Sequence, residues 1–197
     1  MQLQQPVKII LGALALVAML SGCGLSPQQA RPEPRLSGQL KAVAQGQRVS
    51  VQIGDARPGQ VLGYRGGLYD ESNALTVQGQ SFLPRLQAET EAGLRMRGFD
   101  IAPQGQAPAT FDLQVTGLTY KVLESRTVLG EVELSATYQV RLRKEGRNFE
   151  GSYTAKLKKK FVKPPTDAAN NRLVSMVMSD ALQRVFQDPS ISDFLAR

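Results

Sequence analysis

The chain has 197 residues and a formal net charge of +7, which is enough sequence for one domain with a substantial core and a segment outside it. Histidine is absent, which removes the usual general base near neutral pH and the commonest metal ligand. The single cysteine excludes an intramolecular disulfide. Metal-dependent and cysteine-dependent catalysis are therefore nearly excluded. The positive charge is consistent with an anionic partner and equally with plain solubility.

The N-terminus has the pattern of a secretion signal followed by a lipid attachment site. Lys8 supplies a positive charge, and the apolar run over residues 9–20 would span about 18 Å as a helix, against about 30 Å for a bilayer core. The run therefore favours a cleaved signal over a transmembrane anchor. The sequence LSGC directly after it resembles the lipobox of bacterial lipoproteins, which implies cleavage between Gly22 and Cys23.

The lipobox resemblance implies a diacylglycerol on the Cys23 sulfur and a further acyl chain on its amino group. Two or more such chains hold a protein stably on a membrane, whereas one chain binds only marginally. This covalent lipid is expected in place of any cofactor. No Asp follows Cys23, so the known inner-membrane retention signal is missing and the outer membrane is the expected destination. The alternative is an ordinary secretory signal that leaves Cys23 as a stray thiol, and the position of the cysteine fits it less well.

Residues 23–46 are rich in Pro, Gln and Gly and contain few side chains that could be buried. This composition predicts a flexible tether that holds the domain away from the lipid surface. The predicted organisation is therefore a signal peptide over 1–22, a lipidated flexible tether over 23–46 and one periplasm-facing domain over 47–197.

The first half of the domain is predicted from its periodicity and its turn residues. Alternating apolar residues predict a strand over 48–53, which ends before Pro58. The Gly-rich segment 59–80 is predicted to be a long loop with one short strand. Ser81 is predicted to cap a helix that packs on the sheet and ends at Gly98.

The second half is predicted to be dominated by long strands. A strand over 111–122 changes phase at Gly117, as a β-bulge does. Two further alternating runs flank a predicted two-residue turn at Glu145 and Gly146, and one register satisfies both faces. Its pairs are Leu142 with Phe149, Tyr138 with Tyr153, Ala136 with Ala155, Leu134 with Leu157, Arg141 with Glu150, Glu133 with Lys158, and Glu131 with Lys160.

The C-terminal part is predicted to be helical. Thr166 or Asp167 can cap a long amphipathic helix that ends at Asp188-Pro189, and Ser190 is predicted to begin a last short helix. The predicted fold class is α+β. It is a β-α-β-β-β-α module with a mostly antiparallel sheet, two helices packed on one face and a short C-terminal helix.

Four features in this order resemble the YajG-like family of Gram-negative lipoproteins. They are the lipobox at Cys23, the strand that ends in Asp55-Ala56-Arg57, the helix that ends in Arg97-Gly98-Phe99, and the segment from Asp188 to Phe194. Each motif is short, and their order and spacing carry the resemblance over nearly the whole chain. The resemblance implies an outer-membrane lipoprotein that faces the periplasm. It implies no catalytic residues, because the family has no established activity.

Two pairs of residues are candidate partner contacts. Asp55 and Arg57 follow a strand end, where clefts often form, and the competing interpretation is a salt bridge that fixes the loop. Tyr64 and Tyr69 lie in the Gly-rich segment, where they are predicted to form an exposed contact surface. A merely mobile loop is the competing interpretation of that segment.

Lysines form the densest charge cluster of the chain. They are Lys156, Lys158, Lys159, Lys160 and Lys163. Because the predicted register places Glu133 and Glu131 opposite two of them, a solvated sheet face is favoured over a binding patch. Nucleic acid is not an expected partner, since no aromatic residues are interleaved on that face as base stacking would require.

Two functions of different classes remain open. The favoured one is a non-enzymatic accessory module that is attached to the membrane by its lipid and binds an envelope protein or a cell-wall partner. The alternative is an envelope hydrolase with a Ser-Lys or carboxylate site, because both residue types are common and no spacing selects a pair.

Overall fold

The computed structural model describes residues 26–66, 70–123 and 130–197. Its strands are β1 (Gln28–Ala30), β2 (Arg48–Asp55), β3 (Val61–Tyr64), β4 (Ala74–Val77), β5 (Asp100–Ile101), β6 (Ala109–Leu123), β7 (Gly130–Lys144) and β8 (Arg147–Phe161). Its helices are α1 (Leu83–Met96), α2 (Asp167–Gln187) and α3 (Pro189–Ala196). The chain is therefore an α+β protein.

The strands form two sheets. The larger has the order β5-β2-β6-β7-β8, and the smaller has the order β1-β4-β3. In the larger sheet β2 runs parallel to β5 and β6, whereas β6, β7 and β8 form an antiparallel meander. The predicted mostly antiparallel sheet is thus mixed, because α1 returns the chain so that β6 lies alongside β2 in the same direction. The predicted six-element order also lacked β1, β3, β4 and β5, whose two to four residues give little periodicity.

The long hairpin has the register predicted from its sequence. Leu142 pairs with Phe149 and Glu133 with Lys158, and the last pair also forms a salt bridge of 3.2 Å. Glu145 and Gly146 both have positive φ, at 51° and 76°, as a type I′ turn requires. The register is therefore confirmed.

The predicted phase change in β6 is also confirmed. Pairing between β6 and β7 shifts between Val115 and Gly117. After the shift, Leu118 and Tyr120 point into the core, as Phe111 and Leu113 do before it. The bulge therefore lets one strand of 15 residues keep an apolar face along its length.

The helix ends were only partly predicted. Thr166 caps α2, because its side chain accepts a hydrogen bond from the amide of Ala169. Ser81 does not cap α1: its hydroxyl donates to the carbonyl of Gln78, in a short turn that precedes the helix. Asp188 caps α3 in place of the predicted Ser190 start, since a carboxylate just before Pro189 is a stronger acceptor for the first amides.

Both long helices cover the same face of the larger sheet. Phe186 of α2 stacks on Phe111 of β6 with ring centroids 6.4 Å apart. A methyl group added to Gly93 of α1 would lie 2.5 Å from the Phe186 ring, so only glycine lets the two helices approach this closely. The core between helices and sheet contains large, fully buried side chains, including Tyr138 and Leu182.

Residues 28–36, here called the strap, replace a large part of the predicted tether with packed structure. Backbone amides of the strap at Arg31, Glu33 and Arg35 donate to side chains of α2. Their acceptors are Asn171, Ser175 and Ser179, at 2.8, 2.9 and 2.9 Å. The prediction of a flexible segment is wrong for the strap, because a Pro-rich composition also suits an extended chain laid along a helix.

The strap and α2 match because their repeats are nearly equal. Two extended residues advance about 6.2 Å, and four helical residues advance about 6 Å. Every second amide of the strap therefore meets an acceptor one helical turn further along. Pro32 and Pro34 occupy the buried positions between the donors, where the missing N–H of proline costs no hydrogen bond.

Candidate functional site

Asp55 and Arg57 form a closed pair. Two bonds of 2.7 and 2.8 Å join the guanidinium to the carboxylate, and the guanidinium also donates to the carbonyl of Val77 at 2.9 Å. It stacks over the Phe82 ring, and the Arg57 side chain is only 3% exposed. The pair thus connects the end of β2 to β4 and to the start of α1. This geometry favours the loop-fixing salt bridge over a partner contact.

One of the two predicted tyrosine contacts lies at the end of β3. Tyr64 is 43% exposed at the last position of the strand. Tyr69 lies outside the described residues, as do Gly22 and Cys23. A contact surface shared by the two tyrosines therefore stays a prediction, and the residue that follows Tyr64 has the more informative contacts.

Arg65 turns into the protein directly after β3. It is 7% exposed, and its two terminal nitrogens donate to the carbonyls of Ser26 and Pro165 at 2.8 and 3.1 Å. One guanidinium thus joins the first described residues to the linker between β8 and α2. A buried arginine needs such partners, because an uncompensated charge in the interior is costly.

Gly63 allows this arrangement by bringing β3 against β6. A methyl group at Gly63 would lie 1.9 Å from the backbone oxygen of Tyr120, a distance that no side chain could accept. The two backbones therefore cross in direct contact. This contact brings Arg65 to the neighbourhood of the Tyr120 side chain.

A cavity of about 120 Å³ opens between these residues and the ends of the long strands. Its lining comes from Arg65, Tyr120, Val122, Gly130, Glu131, Val132, Phe161, Val162, Lys163, Pro164 and Pro165. The volume corresponds to about four water molecules at their share of the liquid. Apolar side chains form most of the walls, and a few polar groups converge on the space, as in many ligand sites.

Two buried donors in the lining have no hydrogen-bond partner among the described residues. They are Nε of Arg65 and the hydroxyl of Tyr120. Burial raises the pKa of Tyr120 to about 12, and the charge of Arg65 opposes part of that rise. The hydroxyl therefore stays protonated at neutral pH and can donate a hydrogen bond. Together the two groups suit an oxygen acceptor, and the guanidinium favours one with negative charge.

The lining bears on the hydrolase alternative. The described lining residues include no Ser, Thr or Asp, Glu131 is their one carboxylate, and Lys163 is an exposed side chain at the rim. No group of acidic, cysteine or histidine side chains within 26–66, 70–123 and 130–197 could hold a metal ion. The arrangement can bind and orient an acceptor, and a Ser-Lys site gains no geometric support at this cavity.

The sequence does not predict Arg65 and Tyr120 as site residues. Tyr120 is one of the apolar positions of the predicted strand 111–122, and Arg65 lies inside the Gly-rich segment 59–80. An arginine within a glycine-rich run could be suspected of turning inward. The proximity of Tyr120 to Arg65 could not be predicted, because it depends on how β3 crosses β6.

The sequence profile of the Lipoprotein_16 family, described as "Uncharacterized lipoprotein", matches residues 34–196. The chain belongs to this family, and the predicted resemblance to YajG-like lipoproteins is confirmed. The protein is accordingly a membrane-anchored lipoprotein of the cell envelope. No curated protein sequence is significantly similar to the chain. None of the helices described is long and apolar enough to cross a membrane.

Several solved structures are similar in fold. A protein from Xanthomonas campestris has 9% sequence identity and a TM-score of 0.51, with 86% of this chain and 97% of that one covered. The minor lipoprotein of Acinetobacter baumannii has 15% identity and a TM-score of 0.45, covering 77% and 95%. Rare lipoprotein B of Shewanella oneidensis has 14% identity and a TM-score of 0.43, covering 75% and 97%. At these identities the likeness concerns the fold alone.

Proposed function

We propose that this protein is an outer-membrane lipoprotein, anchored through Cys23 on the periplasmic side, that acts as a non-enzymatic binding module. Its ligand site is the cavity between Arg65 and Tyr120. The ligand, or the part of a larger envelope partner that enters, carries an oxygen acceptor and a small apolar group.

The two unpartnered donors carry this proposal. Leaving a buried donor without a partner costs about 1–3 kcal/mol, so proteins keep such groups rarely. Arg65 and Tyr120, which line the same cavity, each have one such donor. A bound acceptor would satisfy both at once, and this gives a physical reason for their placement.

The membrane assignment rests on the N-terminal sequence together with the family. A lipobox ends at Cys23, no Asp follows it, and the chain belongs to a lipoprotein family. A Cys23→Ser variant is therefore expected to leave the outer-membrane fraction as a folded, soluble protein. If that variant still sedimented with outer membranes, the anchor assignment would be wrong.

The ligand site can be tested by photo-crosslinking in living cells. A photoreactive amino acid at Val122 would sit in the cavity wall, where the valine is 40% exposed. Val43 is a matched control, because it is 43% exposed and lies beside Arg97 at the other end of the molecule. We expect a discrete adduct from Val122, whether protein, glycan or lipid, and none from Val43.

The adduct must also depend on the donor. Tyr120→Phe removes the hydroxyl and keeps the buried ring, so the adduct from Val122 is expected to weaken several-fold. The proposal fails if Val122 gives no adduct beyond the Val43 background. It also fails if the adduct is as strong with Phe at position 120 as with Tyr.

A further inference from the structure

The chain enters the domain at the cavity. The carbonyl of Ser26, the first described residue, accepts a hydrogen bond of 2.8 Å from Arg65, which lines the cavity. From there the chain continues as the strap, which begins with β1 and then runs along α2. Nearly all of the predicted tether is therefore used inside the domain.

The remaining length limits how far the domain can stand from its anchor. Cys23 precedes Ser26 by three residues, which span at most about 11 Å when fully extended. A free tether over the 24 residues of 23–46 would instead have a root-mean-square length of about 27 Å. An anchor at Cys23 therefore holds the cavity end within about 11 Å of the membrane surface.

Exposed apolar side chains surround the cavity at this end. Val162 is 73% exposed, Tyr64 is 43% exposed and Val122 is 40% exposed. Two of them, Val162 and Val122, line the cavity, and Tyr64 directly precedes Arg65. Tyrosine is enriched at the water interface of membranes, where an apolar ring and a polar hydroxyl are both accommodated.

The same end is basic. Lys121, Lys160 and Lys163 are exposed, and none of them makes an ion pair within the part of the chain that the structure describes. Two acids of the described residues lie beside them in the strand register, Glu131 opposite Lys160 and Glu133 opposite Lys121. Lys163 has no acid opposite it in that register. Basic side chains close to an anionic leaflet are attracted to its headgroups.

We propose that this end of the domain docks on the anionic bilayer surface that holds the anchor. The docking surface, here called the anchor-proximal face, consists of Tyr64, Lys121, Val122, Lys160, Val162 and Lys163. The inference rests on the proposed lipid at Cys23. The short reach from Ser26 selects the bilayer as the surface that this face meets, because the anchor holds the face within about 11 Å of the membrane.

Docking can be measured with the lipidated protein in vesicles. Because the chain has one cysteine and the lipid occupies it, Val162→Cys provides a single free thiol for a fluorescent label. The vesicles contain phosphatidylethanolamine, phosphatidylglycerol and a lipid with a nitroxide quencher on its headgroup. Val43→Cys with the same label is the control, since strand β6, whose 15 residues span about 45 Å, runs between the two ends.

We expect the label at position 162 to be quenched several-fold more than the label at position 43. Replacing phosphatidylglycerol with phosphatidylcholine, or adding Lys160→Gln and Lys163→Gln together, should reduce that difference. Equal quenching at the two positions would overturn the docking. If quenching at position 162 changes neither with the lipid charge nor with the two lysine substitutions, the face does not recognise an anionic surface.

The outcomes separate this inference from the proposed function. If the label at 162 is not quenched while Val122 still gives a Tyr120-dependent adduct in cells, docking is wrong and the ligand site stands. If the label is quenched and the adduct is absent, the ligand site is wrong and docking stands. An intact mass without lipid on Cys23 would overturn the anchor and the docking together.

Discussion

A buried cation lies at each end of the larger sheet, and the two cations differ in their hydrogen bonding. At the end remote from the cavity, Lys144 is 7% exposed and its ammonium donates to the carbonyl of Leu195 at 2.8 Å, so that α3 is fixed against β7. At the cavity end, Arg65 is equally buried and keeps Nε without a partner. The ammonium of Lys144 thus bonds within the fold, whereas Arg65 keeps one N–H that can donate a hydrogen bond to a ligand.

The two buried tyrosines repeat this contrast. Tyr138 is fully buried and donates to the carbonyl of Met178 at 3.1 Å. Tyr120 is 2% exposed, and its hydroxyl has no partner among the described residues. Other buried polar atoms of the described residues also lack a partner, such as Nη1 of Arg57 and Nε of Arg97, but their residues do not line the cavity. Two unpartnered donors in residues that line one cavity therefore indicate a site. Four predictions test this difference.

The largest effect is expected at Gly63. The Gly63→Ala substitution places a methyl group 1.9 Å from the Tyr120 carbonyl oxygen and should cost about 3 kcal/mol or more in the free energy of unfolding. Gly59→Ala is the control, because nothing lies within 4 Å of its added methyl group, and it should change stability by less than about 0.5 kcal/mol. Urea unfolding measures both. Equal stability of the two variants would mean that β3 does not cross β6 in contact.

The second largest effect is expected at Lys144, at the end of the larger sheet remote from the cavity. Lys144→Ala removes the bond to the Leu195 carbonyl and the packing of a long aliphatic stem, so it should cost about 2 kcal/mol. Lys156 is exposed on the outer face of β8, and Lys156→Ala should stay within about 0.5 kcal/mol of the parent. Thermal unfolding at one pH compares them. A neutral Lys144→Ala would show that this cation does not hold α3.

The tyrosines should respond with opposite signs. Tyr138→Phe loses a buried hydrogen bond and should cost about 1 kcal/mol, whereas Tyr120→Phe removes an unsatisfied hydroxyl and should stabilise by up to about 1 kcal/mol. The measurement is urea unfolding of the two variants without ligand. Should Tyr120→Phe lose as much stability as Tyr138→Phe, its hydroxyl has a partner and the site argument weakens.

The smallest effect is expected in the strap. Ser175→Ala removes the acceptor of the Glu33 amide. Because this hydrogen bond is exposed to solvent, its loss should lower the free energy of unfolding by only about 0.5 kcal/mol. Hydrogen exchange at the Glu33 amide should nevertheless accelerate several-fold, because local opening is easier. Ser152→Ala, on the exposed face of β8, is the control and should leave that amide unchanged. An unchanged rate in Ser175→Ala would mean that the strap is not held by α2.

Much of the fold could be predicted because strand alternation and turn chemistry are local. The pairing of Glu133 with Lys158 and the bulge at Gly117 both follow from which face each residue must occupy. The parallel pairing of β2 with β6 could not be predicted, because α1 separates the two strands along the chain and no local pattern tells which strands become neighbours across such a connection.

The site could not be predicted because it is made by non-local crossings. Arg65 meets Ser26 and the β8–α2 linker over separations of 39 and 100 residues. The packing of the strap could not be predicted from composition, because composition alone does not distinguish a free Pro-rich chain from one laid along a helix. The residues of the strap do alternate, because buried side chains and residues whose amides donate to α2 follow each other from Ala30 to Arg35.

The height of the domain above the bilayer tests the central claim most directly. Neutron reflectometry of the lipidated protein on a supported bilayer with phosphatidylglycerol measures any water-filled gap between headgroups and protein. Only two residues separate Cys23 from Ser26, and the three steps of chain span at most about 11 Å, so protein density should begin within that distance of the headgroups. A hydrated gap of about 27 Å, the length of a free chain over 23–46, would contradict the account.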